Sequence, residues 1–86
     1  MNKSSAGDLQ LDDITTNGLF NVDGMLIAKE DVRGAVVGFD PKETKYIVAF
    51  NIKGYGHEAA VYDNEECAIR HVALVKEEIG KYPVGK

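Results

Sequence analysis

The residues in this sequence best suited by type to do chemistry are Cys67 and His71, four positions apart in the segment Cys-Ala-Ile-Arg-His. On a helix that spacing projects both side chains from one face, which is half of a tetrahedral metal site, with His57 as the third ligand to consider. Structural zinc takes four ligands at recognisable spacing, and Cys67 is the single cysteine of the chain. The simpler reading puts both residues on the margin of an apolar helical stripe, with the thiol acting as a small hydrophobe. A cysteine in the first helical turn can serve as a nucleophile, but it needs an adjacent base, and His71 is the sole local candidate. No catalytic residue, metal or cofactor is expected.

Two further stretches invite a ligand. Gly54-Tyr55-Gly56-His57 resembles a phosphate-binding loop in composition alone, because it lies between two strand-like segments instead of opening a helix and no Gly-Lys-Ser/Thr follows. It reads as a hairpin loop exposing Tyr55 and His57, and tyrosine is enriched where proteins bind one another. Asp12, Asp13 and Asp23 lack the spacing of a calcium loop and read as a solvated cluster.

The elements that position these residues are organised around Lys45 to Lys53, the longest stretch alternating at a period of two. Tyr46, Val48, Phe50 and Ile52 share one face; Ile47, Ala49, Asn51 and Lys53 share the other. A strand so bulky needs pairing on both edges and a cover for its heavy face. Before it, Leu19-Phe20-Asn21-Val22 and Met25-Leu26-Ile27-Ala28 flank Asp23-Gly24, a dipeptide suited to a two-residue hairpin turn. One bent strand with a bulge at Gly24 is the competing reading. Lys29 to Arg33 is charged except for Val32, which should pin a helical turn or loop to the core. Residues 34 to 39 form another apolar strand, and Asp40-Pro41 begins the reversal into 45 to 53. Gly54-Tyr55-Gly56 supplies the next reversal, and 58 to 62 returns as a short strand.

A helix is expected over about 64 to 79, with Asp63 as N-cap and Glu66 completing a capping box. Ala68, Val72, Val75 and Ile79 form its core stripe, flanked by Cys67, Ile69 and Leu74, while Glu66, Arg70 and Glu77 face water. Gly80 suits the position just past the helix, and Pro83 prevents resumption. Residues 1 to 17 are polar and read as a flexible acidic N-terminal arm, although Leu9, Leu11 and Ile14 could dock it as a short strand or helical turn. The expected fold is α+β, with residues 18 to 82 as one domain. It is a small four- to five-stranded, mainly antiparallel meander sheet with one C-terminal helix packed on one face.

Composition narrows the function classes. With 86 residues there is room for one core and not for a deep catalytic cavity, and 44% hydrophobic residues place the chain among globular domains. The net charge of −4 discourages non-specific binding to phosphates. Lys3 against four aspartates gives −3 over the first 24 residues, so the remainder is almost neutral. Neither a signal-type apolar stretch nor a membrane-length run occurs, and with one cysteine no intramolecular disulfide can form, so a cytoplasmic location is expected.

A meander with one helix leaves a sheet face uncovered. The expectation is therefore a non-catalytic protein-interaction or regulatory module, acting through an exposed sheet face or edge as a homodimer or bound to a larger protein. Val36, Ile47, Ala49, Asn51, Tyr55 and His57 are the candidate contact residues. The alternatives are a small nucleic-acid-binding module, using the sheet face and hairpin loop with Lys45 and Lys53, or an acidic inhibitor occupying a partner's nucleic-acid site. No membrane or small-molecule partner is evident.

Overall fold

Three tight turns set the topology. Asn17-Gly18, Asp23-Gly24 and Lys53-Gly54 all hold both residues at positive φ, between 51° and 90°, as two-residue hairpin turns of the type I′ family require. Asparagines brace two of them from the same position: Asn21 Oδ1 accepts the Gly24 N–H at 2.8 Å, and Asn51 Oδ1 accepts the Gly54 N–H at 2.9 Å. The fourth reversal is longer, with Asp40 Oδ1 accepting the Lys42 N–H at 3.0 Å and Thr44 at φ 55° closing it.

The computed structural model describes residues 6–81. A 3-10 turn at Ala6–Asp8 leads to a short helix α1 (Leu11–Ile14), then strands β1 (Thr15–Thr16), β2 (Leu19–Val22) and β3 (Met25–Ile27). After a second 3-10 turn at Lys29–Asp31 come β4 (Val32–Asp40), β5 (Lys45–Ile52), β6 (Tyr55–Tyr62) and the long helix α2 (Glu65–Ile79). The expected α+β class holds, but the strands form two antiparallel three-stranded sheets, β1-β2-β3 and β4-β5-β6, instead of one meander of four or five. The 3-10 turn at Lys29–Asp31 separates them: it redirects the chain before β4, so β3 and β4 do not pair.

Both sheets meet over the heavy face of β5. Val48 and Phe50 are fully buried there and Ile52 nearly so, as the alternating pattern requires, while Tyr46 is half-buried. The helix α2 lies on β4 and β5 and touches β6, and β2 abuts β6. Phe20 of β2 meets Phe50 edge to face at 5.5 Å, a geometry contributing about 0.5–1.5 kcal/mol beyond the area it buries. Val22, Val32 and Val75 close the core around them without exposure, and Val32 pins the start of β4 as expected.

The segment expected as a mobile arm contributes to this core from residue 9 onward. Leu9 and Ile14 are each 3% exposed, and the Arg70 guanidinium donates to the Leu9 carbonyl at 3.2 Å. Asp13 turns back to accept the Gln10 N–H at 2.7 Å, fixing the start of α1. Arg70 therefore does not simply face water. Residues 1 to 5 and Pro83 lie outside the described residues.

The predicted helix span matches α2, but its caps differ. Asn64 and not Asp63 is the N-cap, its Oδ1 accepting the N–H groups of Glu66 and Cys67 at 2.7 and 3.4 Å. Asp63 instead pairs with Lys45. Gly80 is the C-cap itself in right-handed helical conformation at φ −63°, so it is not the left-handed residue past the end. Ile69, expected beside the stripe, is 52% exposed, whereas His71 and Glu78 are buried.

Candidate functional site

Strand alternation gives the β4-β5-β6 sheet a second face, opposite α2. Its register places Gly34, Asn51 and Gly56 in one row, Val36, Ala49 and Glu58 in the next, and Gly38, Ile47 and Val61 in a third. Asp40 and Lys45 close the end. Two bulges, between Val32 and Gly34 and at the Val48–Ala49 step opposite β6, keep these rows in phase on one side. Val36 is 64% exposed and Val61 48%; Asn51 is exposed, and Ile47 and Ala49 are half-buried. From residue 6 onward the N-terminal segment docks on α2 and does not cover this face.

The glycines make the face unusual. A Cβ at Gly34, Gly38 or Gly56 would meet no atom within 4 Å, and none of the three adopts positive φ. Neither backbone conformation nor crowding inside the chain demands glycine at these positions, and glycine in a strand interior costs about 0.5–1 kcal/mol relative to alanine. Such glycines mark bulges, bends or places where another backbone or a ligand approaches closely; Gly34 adjoins a bulge, whereas Gly38 does not. Gly34 and Gly56, with Val36, Ala49, Asn51 and Gly54, line a shallow depression of about 360 Å³ that also reaches Ala35, Phe50 and Lys76.

Of the residues singled out in the sequence, Val36, Ile47, Ala49 and Asn51 come together on this face. Tyr55 and His57 do not. The reversal is Lys53-Gly54 alone, so Tyr55 and His57 belong to β6, paired with Ile52 and Phe50 on the heavy side. Tyr55 is 73% exposed at the strand's start and His57 is half-buried. The glycines and Val61 were missed, although positions 34, 36 and 38 fall on one face by the same period-two rule that found Ile47 and Ala49.

Lys45, the cation at the edge of the face, is held by the Asp63 carboxylate, whose hydrogen bond and charge raise the lysine pKa above its usual value. The other end of the sheet carries Lys53, in the turn.

The Cys67–His71 pair lies elsewhere, under the helix. Both are buried, at 1% and 3% exposure. Nδ1 of His71 hydrogen-bonds the Tyr62 hydroxyl at 2.8 Å, while its ring packs edge-on to Phe50 and Tyr62 at 5.8 Å each. Burial lowers the imidazole pKa from 6.5 to about 4 and raises that of Tyr62. Nε2 of His71 has no hydrogen-bond partner among the described residues. Both side chains are packed in the core, where burial favours the neutral imidazole; among the described residues no three His, Cys, Asp or Glu side chains group as metal ligands. Glu78 is the second buried ionisable group, accepting from Lys29 at 2.6 Å and Lys81 at 3.3 Å, and the Lys29 bond foremost keeps its pKa below the ordinary carboxylate value.

Comparison with protein-family models, with curated proteins and with solved structures gives no match to this chain. Among the described residues no helix is long and apolar enough to cross a membrane.

Proposed function

We propose that this protein is a non-catalytic interaction module whose working surface is the open face and free edge of the β4-β5-β6 sheet, engaged either by a second copy or by a larger protein. The observation that carries the reading is the set of glycines at 34, 38 and 56, which leave space that no described residue fills, around a 64%-exposed Val36. The buried placement of Cys67 and His71, the two side chains best suited to catalysis, supports it further. The nucleic-acid alternative loses ground because Lys45 is paired with Asp63 and Lys53 sits at the far end of β5, leaving the face between them without a free cation among the residues that form its rows.

Amide chemical shifts followed by NMR test the proposal. As protein concentration rises, or as a binding protein is added, the amides of the open face and of β4, Gly34 and Val36 foremost, should move most, and Val36→Lys should suppress the change while leaving the helix signals in place. Shifts confined to the outer surface of α2, or an association that Val36→Lys leaves untouched, would overturn the assignment of this surface.

A further inference from the structure

We infer that the occupant of the free edge is a second copy of this chain, its β4 pairing antiparallel with β4 about a two-fold axis at Val36 to give a continuous six-stranded sheet. The inference rests on the reading of this sheet as the interaction surface and names the partner. Of the sheet's two outer strands, β6 is abutted by β2, whereas no described strand pairs with the outer side of β4. At nine residues β4 is long for an edge. Natural edges are blunted by lysine, proline or charge, but from Gly34 to Phe39 this strand reads Gly-Ala-Val-Val-Gly-Phe with no charge or proline, and it exposes Val36 and Phe39 at 64% and 51%.

The pattern along the strand is self-complementary. A two-fold contact places residue i opposite residue j and j opposite i. Pairing on one continuous sheet also requires that opposed residues share a face. With the axis at Val36 both conditions hold together. Gly34 then faces Gly38 of the other copy in both directions, Val36 meets Val36, and Ala35 meets Val37 on the covered side. The open-face sequence Gly-Val-Gly is symmetric about its centre. Charge agrees with the same register: Arg33, the one cation of β4, stands at its start and Asp40, the one anion, at its end. Antiparallel pairing brings each Arg33 to the Phe39–Asp40 end of the other copy, where a guanidinium can meet both an exposed ring and a carboxylate. A parallel arrangement would set like charges side by side.

Light scattering and directed cross-linking test this. The wild-type chain, whose one thiol is buried, should scatter with twice its 9.4 kDa mass and form no disulfide under mild oxidation. Val36→Cys should convert to a covalent dimer, because opposed residues of an antiparallel pair lie about 4.5–5.5 Å apart at Cα, within disulfide reach. Val61→Cys should not, since the two β6 strands would stand five strand spacings apart, roughly 24 Å. Val36→Lys should scatter as a single chain with an unchanged far-UV circular dichroism spectrum. A dimer that Val36→Cys fails to link, or that Val61→Cys links as readily, overturns the pairing in favour of stacked open faces and leaves the proposed surface standing. A wild-type chain that stays monomeric at high concentration overturns the second copy as occupant, and the amide-shift experiment with an added binding protein then decides the surface separately.

Discussion

The two faces of the β4-β5-β6 sheet are made by alternate residues of the same strands, yet they solve opposite problems. On the heavy face Val48, Phe50 and Ile52 meet α2 and Phe20 with almost no surface left exposed. On the open face the matching positions are Gly34, Gly38, Ala49 and Gly56, and no described residue fills the space above the three glycines. The contrast teaches that small side chains here are not a failure of packing. A strand that packs Phe50 so tightly could carry bulk on both sides, and the open side instead keeps its backbone accessible.

The comparison breaks most directly at Phe50. Phe50→Ala should destabilise the fold by about 3–5 kcal/mol in chemical denaturation, since the cavity adjoins Phe20 and His71 in a face that cannot collapse. A loss below ~1 kcal/mol would mean that the heavy face is far looser than its burial shows.

Acid should come next in size. His71 has its folded pKa lowered to about 4 from 6.5, so between those values the unfolded chain binds the extra proton. Stability is thus full above pH 6.5 and falls as pH drops toward 4, by about 3 kcal/mol at 1.36 kcal/mol per unit. Thermal melts of wild type and His71→Leu across this range should diverge in slope, with the variant much flatter; equal slopes would contradict the neutral buried imidazole.

Lys29→Met sharpens the same face from its rim. It leaves Glu78, 6% exposed, with only Lys81, and should cost about 2 kcal/mol at neutral pH, as expected when a buried charged acceptor loses its donor. Because the folded Glu78 pKa is depressed, this pair's stabilisation is present above the carboxylate's ordinary value and disappears as pH falls through the lowered one. The penalty of Lys29→Met should therefore shrink in acid, which melts at two pH values will show.

The open face should respond with the opposite sign. Gly38→Val meets no atom within 4 Å at its Cβ, so it should leave the single chain as stable or raise its stability by up to about 1 kcal/mol, while weakening association measured by light scattering. A destabilised monomer would show that Gly38 serves the fold after all.

How far the sequence carried these conclusions depended on whether the signal was local. Period-two alternation in Lys45 to Lys53 identified the central strand and its two faces, and Asp23-Gly24 identified its turn, because both are decided within a few residues. Asn17-Gly18 carries the same turn chemistry and was passed over in a segment read as a mobile arm for its polarity. The division into two sheets was not legible, since it depends on how the 3-10 turn at Lys29–Asp31 aims β4, a matter of three-dimensional direction. Asp63 and Asn64 are both good caps, and what separates them is Lys45, 18 residues earlier and paired with Asp63. Arg70 looks like a solvent-facing charge, and only its distant partner, the Leu9 carbonyl, shows otherwise; Glu78 falls on the buried stripe with His71, Leu74 and Val75, and it is Lys29 that makes a carboxylate tolerable there.

The bond from Arg70 to the Leu9 carbonyl spans 61 positions, and it bears on the order in which the chain can complete itself during synthesis. The β4-β5-β6 hairpins join neighbours in sequence and can close as they emerge from the ribosome. Leu9 and Ile14, by contrast, belong to a segment docked on α2, which is made after all six strands. The apolar side chains of Leu9 and Ile14 must therefore wait, uncovered, until α2 has been made, and this part of the core closes only after every strand is complete.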